Sequence, residues 1–123
     1  MPPNQNLGNQ GERLAARWLT KNKGFKILEV GWRQGSFTQL DILARDTSTT
    51  PETLVAVEVK TRVSDRFGRG ITAVTHKKLL HIKRSLAYFT KTHPTLPKKL
   101  RIDVVDVLFK NGAEDVRYYR DIL

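Results

Sequence analysis

Apolar positions along the 123-residue chain change their period several times. From about Asn9 to Lys23 the residues Leu14, Ala15, Trp18 and Leu19 recur at helical spacing, and Gly24 supplies a C-terminal stop, so a helix is expected there. Three runs with strand character follow, Phe25 to Arg33, Phe37 to Arg45 and Thr53 to Arg62, separated by Gln-Gly-Ser and Asp-Thr-Ser-Thr-Thr-Pro-Glu. Connections this short cannot carry a helix, so neighbouring runs are expected to pair antiparallel. From Val74 to Lys91 the pattern is again helical: Leu79, Ile82, Leu86 and Phe89 mark a packing face, while Lys77, Lys78, His81, Arg84 and Lys91 occupy the others. After Pro94 to Lys99, a strand from Leu100 to Phe109 must reach the sheet by a crossover that contains this helix. That favours parallel pairing with the third run. A short last strand or tail covers Val116 to Leu123.

The order helix, three strands, helix, strand predicts an α/β sandwich with a mixed central sheet. The length allows one core, so residues 9–123 read as a single domain behind a flexible N-terminus, residues 1–8, which is polar and carries two prolines. Absence of cysteine excludes disulfides and thiolate metal sites, and the three histidines match no zinc spacing. The N-terminus lacks the apolar stretch of a signal peptide and no segment is apolar enough to span a membrane, so a cytoplasmic protein without a membrane partner is expected.

Charge adds a location to this picture. Of the net +10, the excess is confined to one third of the chain: Lys60 to Arg101 holds twelve Lys or Arg against one acid, Asp65. A block of this kind marks a polyanion-binding surface, because each neutralised phosphate releases condensed counterions. Arg62, Arg66, Arg69, Lys77, Lys78, Lys83 and Arg84 are its candidate nucleic-acid contacts, and Arg66 to Gly70 reads as a flexible basic loop placed to meet a phosphate. Charge alone fits RNA as well as DNA.

Ionisable groups also interrupt the strands. Alternation along Thr53 to Arg62 puts Val55, Val57 and Val59 on one face and Leu54, Ala56, Glu58 and Lys60 on the other. In the preceding run Leu40, Ile42 and Ala44 alternate with Gln39, Asp41 and Leu43, which sets Asp41 in the middle of an apolar strand. If the two runs pair, Asp41 lies beside Glu58. Buried charges cost several kcal/mol each when uncompensated, and a hard divalent cation, Mg²⁺ or Mn²⁺, would offset that cost. Asp41 and Glu58 would supply carboxylates, the Val59 carbonyl a further oxygen, and Lys60 would orient an attacking water and stabilise charge developing on a phosphate. A buried ion pair that only fixes strand register is the structural alternative. Glu12 falls at the edge of the first helix's packing face, which suits either a site carboxylate or an N-terminal-turn acid favoured by the helix dipole. Asp103, next to Arg101, reads as a structural pair partner ahead of a site residue.

The segments L-G-N-Q-G-E-R-L-A-A-R-W-L at positions 7 to 19, G-W-R-Q-G-S-F-T-Q-L-D-I-L-A-R-D, V-A-V-E-V-K-T-R, A-V-T-H-K-K and R-I-D-V-V-D-V together resemble the YraN-like family, from Gly8 to Val107. The resemblance implies a restriction-endonuclease-like α-β-β-β-α-β fold of the PD-(D/E)xK class, similar to archaeal Holliday-junction resolvases. It implies catalytic roles for Asp41, Glu58 and Lys60, with Glu12 as a fourth member and Lys78 matching a recurrent helix lysine. The function it implies is a metal-dependent endonuclease acting on branched or structured DNA in repair or recombination, with a homodimer supplying two cuts. A non-catalytic nucleic-acid-binding module and a basic protein-interaction module are the rival readings. Where the family usually reads Gly-Glu-Ile-Asp-Leu-Ile, this chain has Thr38-Gln39-Leu40-Asp41-Ile42-Leu43, so a carboxylate is replaced by an amide. Gly31, where the family often carries Asn, reads as peripheral to the chemistry.

Overall fold

The computed structural model describes residues 3–35, 38–64 and 74–122. The expected loop contacts Arg66 and Arg69 lie outside the described residues. Helix α1 (Pro3–Lys23) starts six residues before the expected Asn9, so residues 3–8, expected to be frayed, continue it. Its apolar pattern begins only at Leu14, but the polar residues before it tolerate a helix, and a proline in the first turn loses no hydrogen bond.

Strands β1 (Lys26–Gln34), β2 (Thr38–Asp46) and β3 (Thr53–Arg62) form the expected meander. Helix α2 (His76–Thr92) carries the chain across to β4 (Lys99–Lys110), which pairs parallel with β3 from Thr53↔Lys99 to Arg62↔Leu108. Strand β5 (Ala113–Tyr119) turns back antiparallel on β4 and ends earlier than the expected tail. The five-stranded sheet has order β1-β2-β3-β4-β5, a mixed α/β sandwich with the element order expected and one further strand.

Alternation in the strands divides the core. On one side Ala15, Ala16 and Leu19 of α1 cover Ile42, Ala44, Val55, Val57, Val105 and Val107. On the other, Ile82, Leu86 and Phe89 of α2 cover Leu40, Leu43, Leu54, Ala56 and Ile102. The expected face of Leu40 is thereby corrected: it joins Leu43 on the α2 side, not Ile42 and Ala44. The partner strand explains the switch. Gly31, between the paired positions Val30↔Ile42 and Trp32↔Leu40, adopts φ +68°, a left-handed conformation that side chains resist and that breaks the pleat.

The second polar cluster of the sequence is structural. Arg101 lies 2.9 Å from both Asp46 and Asp103, and Asp103 also accepts from the Tyr118 hydroxyl (2.5 Å) and the Asp121 N–H (2.9 Å). This network ties β2, β4 and β5 together and anchors the C-terminal segment, as the pair reading of Asp103 expected.

Candidate active site

The β2–β3 ladder runs from Asp46↔Thr53 to Ile42↔Val57. Beyond it, the Asp41 side chain takes over: its Oδ2 accepts a hydrogen bond from the Val59 N–H at 2.9 Å. The N–H and C=O of one extended residue leave the same edge of a strand, so the Val59 carbonyl also faces this fork. Asp41 and Glu58 are 8% and 6% exposed, which makes the fork a nearly dry place for two carboxylates.

Four elements meet there. Glu58 Oε1 lies 3.8 Å from the Lys60 ammonium, two residues along β3, and 3.7 Å from that of Lys78 in the first turn of α2. Thr75 fixes that turn by accepting the Lys78 N–H at 3.1 Å as N-cap. The cap thereby holds Lys78 in the turn that carries the positive end of the α2 dipole. From the opposite face, α1 contributes Glu12. Its approach depends on Gly11, because a Cβ at that position would fall 2.0 Å from Thr61 Oγ1 on β3. Ser85, fully buried on α2, accepts the Gln39 N–H at 3.1 Å and pins the start of β2 two residues before Asp41.

The electrostatics follow from crowding. Burial, reinforced by the Asp41 charge and an Asp41 hydrogen bond, lifts the Glu58 carboxyl to about 7, against the pull of Lys78 and Lys60. Burial and the Asp41 charge likewise lift Glu12 to about 7, with Arg33 opposing. Two glutamates beside one aspartate thus hold protons near neutrality that isolated carboxyls release. Among the described residues no three acidic or histidine side chains close into a ready-made metal cage. Mg²⁺ and Mn²⁺ need only one or two protein carboxylates beside water and carbonyl oxygens, so Asp41, Glu58 and the Val59 carbonyl fit such an ion chemically.

Of the residues expected from sequence, Asp41, Glu58, Lys60, Val59 and Glu12 converge here. Lys78 does too, turned to Glu58 where its place in the basic block suggested a phosphate contact. Lys77, Lys83 and Arg84 are exposed on α2, whereas Arg62 lies 4.0 Å from Asp106 on β4. Gly31, expected to be peripheral, belongs to the site: a Cβ there would come within 3.4 Å of Glu12 Oε1. Its left-handed φ is the conformation that glycine and asparagine adopt most readily. Gly11, Thr75 and Ser85 were missed as well. Thr75 alone had a sequence signal, a helix N-cap three residues before Lys78.

A model of the uncharacterised protein family UPF0102 matches residues 11–107, and the YraN-like family is the same family. The chain is 42% identical to a UPF0102 protein of Beutenbergia cavernae over 117 residues, covering 94% of each chain. It is 36% identical to one of Syntrophomonas wolfei, covering 94% of this chain and 95% of the relative. A UPF0102 protein of Caldicellulosiruptor bescii is 37% identical, with 94% of each chain covered.

Proposed function

The chain belongs to the uncharacterised protein family UPF0102, and we propose that it is a metal-dependent endonuclease that hydrolyses phosphodiester bonds in DNA, at branched or structured sites. The observation that carries this reading is the convergence of Glu12, Asp41 and Glu58 with the ammonium groups of Lys60 and Lys78 at the β2–β3 fork. A purely structural ion pair needs one partner for each charge. Here two cations attend Glu58 while two further carboxyls crowd together at Asp41 and Glu12, with Arg33 drawn to Glu12, an arrangement suited to a cation and a phosphate.

Asp41 and Glu58, with the Val59 carbonyl, would hold Mg²⁺ or Mn²⁺. Such an ion supplies a lowered water pKa and neutralises phosphate charge. Lys60 orients the water that attacks phosphorus, and with Lys78 it stabilises the charge that builds on the phosphate oxygens as the bond to the leaving oxygen breaks. Glu12 stands on the far side of Asp41 and holds or releases a proton near neutral pH. The exposed cations of α2 keep the backbone against the fork. Two cuts by a symmetric pair of chains would follow from a homodimer.

Nicking of supercoiled plasmid in Mn²⁺ tests the reading. Wild type is expected to nick, and Asp41→Asn and Glu58→Gln to be inactive while still binding DNA. Binding without metal-dependent nicking by the wild type would leave a non-catalytic nucleic-acid-binding module.

A further inference from the structure

The solvent side of α1 carries Arg13, Arg17 and Lys21, all exposed. A spacing of four keeps them on one side of the helix, each about 6 Å further along. The one acid in α1, Glu12, is engaged with the site by its repulsion from Asp41 and its attraction to Arg33. Helix α2 contains no acid, and Lys77, Lys83, Arg84 and Lys91 are exposed on it. Because the two helices cover opposite faces of the sheet, the molecule presents two cationic surfaces separated by a thickness of about 30 Å.

The α1 surface is concave. A cleft of about 540 Å³ lined by Arg17, Trp18, Lys21 and Glu114 adjoins one of about 200 Å³ lined by Arg13, Arg17 and Glu114. Glu114 is the one acid in either lining, against three cations. The exposed large apolar side chains among the described residues, Val30, Val63, Leu80, Tyr88 and Leu100, all lie off α1. Half-buried Leu14, Trp18 and Val116 also line the larger cleft, so what favours a sugar-phosphate backbone is the regular spacing of three exposed cations against the single acid Glu114.

We propose that the Arg13, Arg17, Lys21 stripe is a second duplex-binding surface, so that one molecule holds two duplex segments, one on each side of its sheet. The proposal rests on the reading of α2 as a backbone-binding face. Duplex DNA is stiff over about 50 nm, so a straight duplex on α2 cannot also reach α1. Occupying both surfaces requires two arms or two separate duplexes.

Two short duplexes of unrelated sequence, one labelled with a donor fluorophore and one with an acceptor, provide the test with the full chain. Wild type is expected to bring them together at two duplexes per chain. Arg13→Gln/Arg17→Gln/Lys21→Gln is expected to lose the energy transfer and fall to one duplex per chain, while Arg13→Lys/Arg17→Lys keeps both. Energy transfer retained by the glutamine variant overturns the second surface and leaves the α2 reading intact, since bridging would then come from α2 faces of associated chains. Loss of transfer in the lysine variant, which keeps the charge, overturns the electrostatic assignment. A wild type that binds no duplex overturns both readings.

Discussion

The ammonium of Lys78, on the first turn of α2, stands 3.7 Å from Glu58 Oε1, as near as the 3.8 Å of Lys60 two residues along the same strand as Glu58. Both lysines hold the Glu58 carboxyl down against burial and Asp41. Removing either by alanine is therefore expected to raise the Glu58 titration midpoint above its value of about 7, and removing both to raise it further. Carboxyl-carbon NMR titration reads this directly. In cleavage, Lys60→Ala is expected to lower turnover by about 10²-fold. An unmoved Glu58 midpoint in both single variants would detach the lysines from the site.

Stability should report the same crowding. Glu12 and Glu58 have folded values of about 7 against an ordinary 4.5, so the folded chain binds more protons than the unfolded chain between these limits. Their contribution is thus most favourable below pH 4.5 and is lost as pH rises through about 7. Without metal, the Glu12→Gln/Glu58→Gln variant is expected to gain on wild type across that interval. Mn²⁺ binds the ionised form, so its stabilisation of wild type should grow over the same range. Thermal melts with and without Mn²⁺ at several pH values measure both. A Mn²⁺ effect that ignores pH would contradict this linkage.

Gly11 is expected to be irreplaceable where α1 crosses β3. Gly11→Ala would drive a methyl into Thr61, and overpacking of this kind costs about 1–3 kcal/mol. Glu12 would be carried away from Asp41 in the same movement. A double-mutant cycle with Thr61→Ala, read by denaturant unfolding, should recover part of the stability. Strict additivity of the two changes would rule out the close approach.

The Arg101 network predicts the opposite separation of effects. Asp103→Ala strips a buried partner from Arg101 and Tyr118 and is expected to cost about 3–5 kcal/mol. Mn²⁺ affinity of the remaining folded protein should be unchanged. Weaker Mn²⁺ binding in calorimetric titration would assign Asp103 to the site after all.

Binding across α2 should be electrostatic and insensitive to sequence. Replacing the exposed Lys77, Lys83 and Arg84 by alanine is expected to flatten the dependence of log K on log salt by about 0.9 for each phosphate that is no longer neutralised. An unchanged slope, from anisotropy titrations at several salt concentrations, would mean that these residues are only solvated.

The sequence by itself determined the element order, the antiparallel meander and the parallel return to β3, because apolar period and connection length are local properties that leave few topologies. It also determined which ionisable residues sit mid-strand, Asp41, Glu58 and Lys60, since a charge in an apolar run needs no fold to be conspicuous. Tertiary structure decided what lies around them. The pleat inversion at Gly31, the close approach at Gly11 and the Ser85 lock on Gln39 arise between segments distant along the chain, and a glycine or serine carries no mark of the neighbour it will meet. Lys78 shows the division most clearly: its sequence neighbours placed it in a phosphate-binding basic block and the family resemblance matched it to a recurrent helix lysine, but only the docking of α2, fixed by the Thr75 cap and the burial of Ile82, Leu86 and Phe89, turned its ammonium to Glu58. A long flexible side chain takes its role from the electrostatic field around it, and that field exists only once the sheet and both helices have assembled.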